Sequence, residues 1–258
     1  MPRPLALPLD ALALPLRQAL PVVARCGAAG LLVDAVGPLA PSELTATGRR
    51  EVRRLLADHR LELAALACPL RSSLLATADL DRRLERLRAA CLLAADLGPR
   101  LVTLSLGPLP EPAALTALPF RQAFGELAAY AEKVGVHLAL SAGAEPVARL
   151  AEFAADWAAS VGIALDPGLL LMRQQDPSAA VASAAAALRL VTARDVRLSL
   201  LDRPSADVPL GQGDVDWFGL AAALEAAAYQ GWVVLRGPSP LDAPAASAAV
   251  AFLKRLGI

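Results

Sequence analysis

Val208-Pro-Leu-Gly-Gln-Gly-Asp-Val-Asp-Trp217 is a glycine-bearing turn that comes late in a chain of 258 residues and runs straight into a helical pattern. Its position decides between two α/β folds. A doubly wound sheet with a nucleotide site wants its glycine-rich turn directly after an early strand, where the helix N-terminus meets the phosphates. No G-x-G-x-x-G or G-x-x-x-x-G-K-[ST] occurs anywhere in the chain. The late turn instead closes the seventh of eight repeating units.

Working outward from that turn, short apolar runs alternate with longer arginine-studded helical stretches. The runs predict strands at Leu5–Leu9, Gly30–Asp34, Leu61–Ala67, Leu101–Ser105, His137–Ser141, Gly162–Asp166, Val196–Leu200 and Trp232–Arg236. Most are bounded by Gly, Pro or Asp, as strands covered on both faces should be. Helical patterns fill the gaps: Pro15–Arg25, Ser42–His59, Asp79–Leu97, Phe120–Val134, Pro146–Ala159, Pro177–Leu190, Trp217–Ala228 and Ala245–Leu256. Asp176 before Pro177 and Asp216 before Trp217 read as N-caps. Leu80, Leu84 and Leu87 set an amphipathic stripe behind an acidic start at Asp79. Eight such units fit a closed barrel better than an open sheet, so the expected fold is α/β, a single (β/α)8 TIM barrel occupying residues 1–258 as one domain.

Composition agrees. The chain is 56% hydrophobic and 19% charged, with Lys plus Arg and Asp plus Glu equal at 25 each. Zero net charge gives no footprint for nucleic acid or an anionic membrane. Nearly every positive charge is arginine, and we read this, with the abundant alanine and leucine, as composition bias. Cys26, Cys68 and Cys91 lack metal-ligand spacing and read as reduced core thiols of a cytoplasmic protein. Pro4, Pro8, Asp10, Pro15 and Arg17 break the apolar N-terminus, a poor signal peptide, and no uncharged run is long enough to span a bilayer.

In barrels of this kind the working residues sit where strands end, at the C-terminal face. That selects Asp34, Arg71, Ser105, Ser141, Asp166, Ser199, Asp202 and Arg236. Five segments then carry a resemblance: Gly30-Leu-Leu-Val-Asp-Ala-Val-Gly-Pro-Leu, Gly135-Val-His-Leu-Ala-Leu-Ser-Ala-Gly, Ala164-Leu-Asp-Pro-Gly-Leu-Leu, the Val208–Trp217 stretch, and Tyr229-Gln-Gly-Trp-Val-Val-Leu-Arg. In this order they resemble the sugar phosphate isomerase/epimerase family of xylose-isomerase-like barrels.

The resemblance implies one divalent metal held by a Glu, an Asp, a His and a second Glu, each ending a different strand. The ion polarises a sugar carbonyl while carboxylates move the proton through an enediolate. Carried over by residue, the first Glu falls on Ser141, and the Asp of D-P-x-N falls on Asp166, with Leu169 in place of the Asn. In an H-x-H-x-K-D segment the two His fall on Arg197 and Ser199, the Lys on Leu201 and the Asp on Asp202. The last Glu falls on Arg236. Three of the four ligands are missing, so the divalent metal site is expected to be lost, with no cofactor in its place.

The histidines agree independently. His59 lies at a helix end, and His137 begins its strand, roughly 13 Å from the catalytic face at about 3.3 Å per residue. Arg236, alone or with Arg197, is expected to pair with Asp166 and fill the volume of the ion. Small residues at Ala139 and Ala164 would leave room for the Arg197 guanidinium.

Each of these residues also has a plainer reading: Asp166 as the cap of the Asp166-Pro167-Gly168 turn, Asp34 and Asp202 as loop residues, Arg71 as a solvated loop cation, Trp217 and Trp232 as packing. Ser141 and Ser199 have no neighbouring histidine base for nucleophilic work.

Three functions compete. One is a metal-independent isomerase, epimerase or lyase acting on a small sugar or sugar acid. Asp166 would transfer the proton, and Arg236, Arg197, Ser141, Ser199 and Asp202 would bind the ligand. The second is a pseudoenzyme, a barrel kept as a small-molecule binder or partner subunit. The third, a nucleic-acid enzyme like the related apurinic endonucleases, needs several metal ions and is opposed by the neutral charge. Exposed leucine and alanine on the outer helices are compatible with a homodimer.

Overall fold

Residues that alternate along each strand face two different surroundings, and both are apolar. One set, Ala6, Leu32, Ala65, Leu101, Ala139, Ala164, Leu190 and Val234, forms a small inner cluster; the other joins the main core against the helices. Strands buried on both faces by these two clusters close on themselves. In the computed structural model, which describes residues 3–70, 73–76, 78–109, 119–141, 145–199 and 205–258, eight parallel strands form the ring. They are β1 (Leu5–Pro8), β2 (Gly30–Asp34), β3 (Glu62–Ala67), β4 (Leu101–Ser105), β5 (His137–Ser141), β6 (Val161–Leu165), β7 (Leu188–Arg197) and β9 (Trp232–Arg236). The order is β6-β5-β4-β3-β2-β1-β9-β7, closed by β6 against β7. The fold is therefore the single (β/α)8 barrel expected from the sequence.

Helices α1 (Leu9–Leu12), α2 (Leu16–Arg25), α3 (Ala46–Asp58), α4 (Leu80–Leu97), α5 (Pro119–Lys133), α6 (Val147–Ala155), α7 (Pro167–Met172), α8 (Pro177–Ala184), α9 (Trp217–Ala226) and α10 (Ala243–Arg255) surround the described ring. The two expected caps are in place: Asp176 accepts from the Ser178 N–H at 2.9 Å, and Asp216 from the Gly219 N–H at 3.0 Å. Trp217 is buried, and Trp232 packs against the inner cluster. None of the described helices is long and apolar enough to cross a membrane.

The seventh unit departs from the sequence reading. The strand expected at Val196–Leu200 is β7 at Leu188–Arg197, and the helix expected to reach Leu190 stops at Ala184. Ala184–Ala187 has no apolar–polar contrast, so periodicity could not locate the boundary. Beyond the ring, β7 turns back into a short antiparallel strand, β8 (Ala206–Val208), with Val196 opposite Asp207.

This unit is held by one buried carboxylate. Asp195, fully buried, accepts five hydrogen bonds. Its Oδ2 takes the N–H groups of Gly211 (2.8 Å) and Gly213 (3.0 Å) and the Trp217 Nε1–H (3.0 Å); Oδ1 takes those of Val196 (2.9 Å) and Val215 (3.3 Å). A side chain at Gly213 would collide with Asp195, and Gly211 has φ +82°. The motif at Val208–Trp217 is the cradle of Asp195.

Replacing Asp195 by Ala strips the acceptor from several buried donors, each worth about 1–3 kcal/mol. Urea unfolding of Asp195→Ala should show a loss of more than about 4 kcal/mol, against about 2 kcal/mol for Trp217→Phe, which removes one donor. Equal losses for the two variants would contradict this ranking.

Candidate functional site

The inner face of each strand can be followed to its C-terminal end in steps of two. From Leu32 the path leads to Asp34, from Ala139 to Ser141, from Ala164 to Asp166, from Leu190 to Thr192 and Arg194, and from Val234 to Arg236. These side chains rim the mouth. Arg194 and Arg236 are register partners on adjacent strands, so two guanidiniums leave the ring side by side.

Each arginine meets carboxylates. Arg194 lies 3.7 Å from Asp166 and binds Asp207 of β8 through Nη2 (2.7 Å) and Nε (2.8 Å). Arg236 reaches Asp10 of α1 at 3.3 Å. Asp166 also caps α7, its Oδ1 accepting from the Leu169 N–H at 2.9 Å. Burial raises the Asp166 pKa above the usual carboxylate value, and nearby Asp207 adds to this. The Leu169 N–H, Arg194 and Arg236 pull the other way without cancelling it. Asp34 is raised as well, by burial first and by Asp10 second, against the pull of Arg236.

The arginine–aspartate arrangement expected around Asp166 exists, but with a different arginine. Among the described residues neither Arg236 nor Arg197 makes an ion pair with Asp166, so that expectation is corrected to Arg194. Arg197 follows the outer face with Asp195, is exposed, and donates to the Gln212 carbonyl. Ser199 is exposed and donates its N–H to Ser205 Oγ at 3.0 Å; it too lies off the mouth. Ser141 ends β5, half-buried, between Ser105 and Ala164. Asp202 and Arg71 lie outside the described residues. Arg194, Thr192, Asp10 and Asp207 were missed. Starting β7 at Leu188 would have found the first two by alternation; Asp207 required the β7–β8 pairing.

Placed so that its Asp falls on the buried Asp195 of β7, the H-x-H-x-K-D segment implied by the resemblance moves by seven residues. Its His positions become Leu190 and Thr192, its Lys Arg194, and its Asp Asp195. The resemblance would then set the four ligands of a divalent ion at Ser141, Asp166, Thr192 and Arg236. They do not fit such an ion: one carboxylate remains, its Oδ2 faces a guanidinium, and a second guanidinium stands at a ligand position. Among the described residues no three His, Cys, Asp or Glu side chains gather as a metal-binding group.

The raised pKa of Asp34 gives a pH test. A carboxyl whose folded-state pKa exceeds its ordinary 3.8 favours folding below that value, and this advantage is lost as pH rises through the folded pKa. Asp34→Asn should therefore have a higher urea midpoint than the parent at pH 7, with the gap closing below pH 3.8. A lower midpoint for the variant at pH 7 would show that the ionised carboxylate is stabilising.

Comparison with known proteins completes the description. A family model described as xylose isomerase-like TIM barrel matches residues 20–256. No curated protein matches the sequence. A xylose isomerase domain protein from Planctomyces limnophilus superposes with a TM-score of 0.85 at 19% identity, over 99% of this chain and 96% of that one. D-psicose 3-epimerase from Clostridium cellulolyticum H10, solved with D-tagatose, gives 0.80 at 15% identity, over 99% of each chain. The 3-keto-D-glucoside 4-epimerase of E. coli gives 0.75 at 16% identity, over 98% of this chain and 99% of that one. At such identities structural likeness speaks for the fold alone; the family model, matching nearly the whole sequence, shows that the chain belongs to the xylose isomerase-like TIM barrel family.

Proposed function

We propose that this barrel binds a small sugar or sugar acid at its C-terminal mouth and epimerises it without a divalent ion. The observation that carries the reading is Arg194, seated between Asp166 and Asp207 where a metal would otherwise neutralise the carboxylate. The sugar epimerases with the same fold favour a carbohydrate ligand.

The chemistry needs a base, an acid and a place for negative charge. Breaking a C–H bond next to a carbonyl sends the proton to Asp166 and the electron pair to the carbonyl oxygen, where the Arg194 and Arg236 guanidiniums can stabilise it. Inversion requires a proton on the opposite face. β2 and β6 stand four places apart in the ring of eight, directly across the barrel. Asp34 and Asp166 therefore face each other from opposite sides of the mouth, and both have raised pKa values, which suits groups that must carry a proton. Asp34 supplies the second proton in this scheme. The buried free thiols of Cys26, Cys68 and Cys91 are consistent with a reducing, cytoplasmic setting.

A second reading, a binder that has given up chemistry, is favoured by the engagement of both Asp166 oxygens, one by the Leu169 N–H and the other by Arg194. Solvent exchange separates the two. In D2O, NMR should show deuterium entering the carbon next to the carbonyl of a ketose or keto acid, at a rate unchanged by a chelator. Asp166→Asn keeps a capping side chain and should lower that rate by about 100-fold or more. Binding by calorimetry with no exchange would establish the binder; exchange abolished by the chelator and restored by manganese would overturn metal independence.

A further inference from the structure

Beside Arg236 lies a cavity of about 530 Å3, between the Pro209–Gln212 turn, the segment after β9, and one face of α10. Its walls are largely apolar, with Leu210, Pro240, Leu241 and Phe252 prominent. The α10 face opposite presents alanines at 245, 248 and 249, whose small side chains keep the space open. Arg236 forms the wall nearest the barrel, and Arg255, exposed and without an ion pair among the described residues, stands at the other end of α10.

Three observations give this cavity an occupant. Its size suits part of a small molecule and is far below what a folded partner needs. It adjoins the mouth through one residue: Arg236 lines the cavity and also binds Asp10 in the mouth's charge network. Its wall is fixed in advance: Asp195 holds the Gly211 and Gly213 N–H groups, Arg197 holds the Gln212 carbonyl, and Gly211 lies flat against the Phe252 ring, which packs edge-on against Trp217 at 6.0 Å. A wall held from behind costs a ligand little to organise.

We infer that this cavity is a subsite for an apolar, ring-sized substituent on the ligand whose polar part occupies the mouth, so that the preferred ligands are aryl-substituted sugars rather than free monosaccharides. The inference rests on the mouth being the sugar site. Apolar walls of proline, leucine and phenylalanine gain by covering a ring, and the ring gains by leaving water.

Calorimetry with paired 4-nitrophenyl and methyl glycosides of glucose, galactose and xylose tests it. At least one 4-nitrophenyl glycoside should bind ten-fold or more tightly than its methyl partner. Ala248→Trp, which fills the cavity from an exposed helix position, should remove that preference and leave methyl glycoside binding unchanged; Ala248→Leu should reduce it in part and guards against misfolding of the larger variant. Equal binding of both members of every pair by the parent protein would overturn the subsite while leaving the mouth reading intact. So would an aryl preference that survives in both variants. The sugar-free probe 1-anilinonaphthalene-8-sulfonate separates the remaining outcome. If the protein binds it, Ala248→Trp blocks it, and no glycoside binds, the mouth reading fails and the shared-ligand subsite falls with it.

Discussion

A carboxylate with no access to water can persist only if its lone pairs are filled, and the seventh unit of this barrel is arranged to fill those of Asp195. Five donors from two separate segments converge on it. Satisfying them fixes the path from Gly211 to Trp217, forbids a side chain at Gly213, and brings the turn onto Phe252 of α10. The stretch Val208–Trp217 is the most specific family signature in the sequence, and its conspicuous residues serve this one buried group. Specificity of sequence therefore marks a constraint of folding here.

The same constraint reaches the mouth through strand alternation. Asp195 faces outward, so its neighbour Arg194 must face the lumen, and the pairing of β7 with β9 sets Arg194 beside Arg236. Two like charges at adjacent strand ends would repel if left alone. Each is instead given carboxylates: Asp166 and Asp207 for Arg194, Asp10 for Arg236. Alanine at 65, 139 and 164 keeps the side chains of the inner cluster small. The polar rim is thus compensated from within the protein.

How much of this could be read from the sequence depended on local contrast. β2, β4, β5 and β9 were placed to the residue because glycine, proline, charge or a helix end bounds each run. β7 was not, because the alanines before it suit helix and strand alike. That single slip propagated. It moved the expected site to Arg197 and Ser199, on the outer and exposed side, while Arg194 went unnoticed. Asp166, Ser141 and Arg236 stand at strand ends, as expected, because their strands were phased correctly. Asp10 and Asp207 belong to a one-turn helix and a three-residue hairpin strand, elements too short to leave a periodic signal. That a guanidinium stands beside Asp166 does not depend on the phase of β7 in the same way, because a carboxylate at a strand end attracts a cation from any neighbouring strand.

What a guanidinium can do in place of a metal sets the range of reactions open to such a mouth. A divalent ion polarises a carbonyl by direct coordination and can bind two substrate oxygens at once. Arginine keeps its proton, offers planar donors, and acts on an oxyanion only through hydrogen bonds and charge. It stabilises an enolate less than an ion does, so the substrate must bring a C–H bond already acidified by its own carbonyl or carboxylate. The carboxyls must then supply what is missing. Burial raises both Asp34 and Asp166 above the ordinary aspartate value, which suits one as the base and the other as the acid of the proposed scheme. In the proposed scheme the task of a single ion is divided between two arginines that hold charge and two aspartates that move protons.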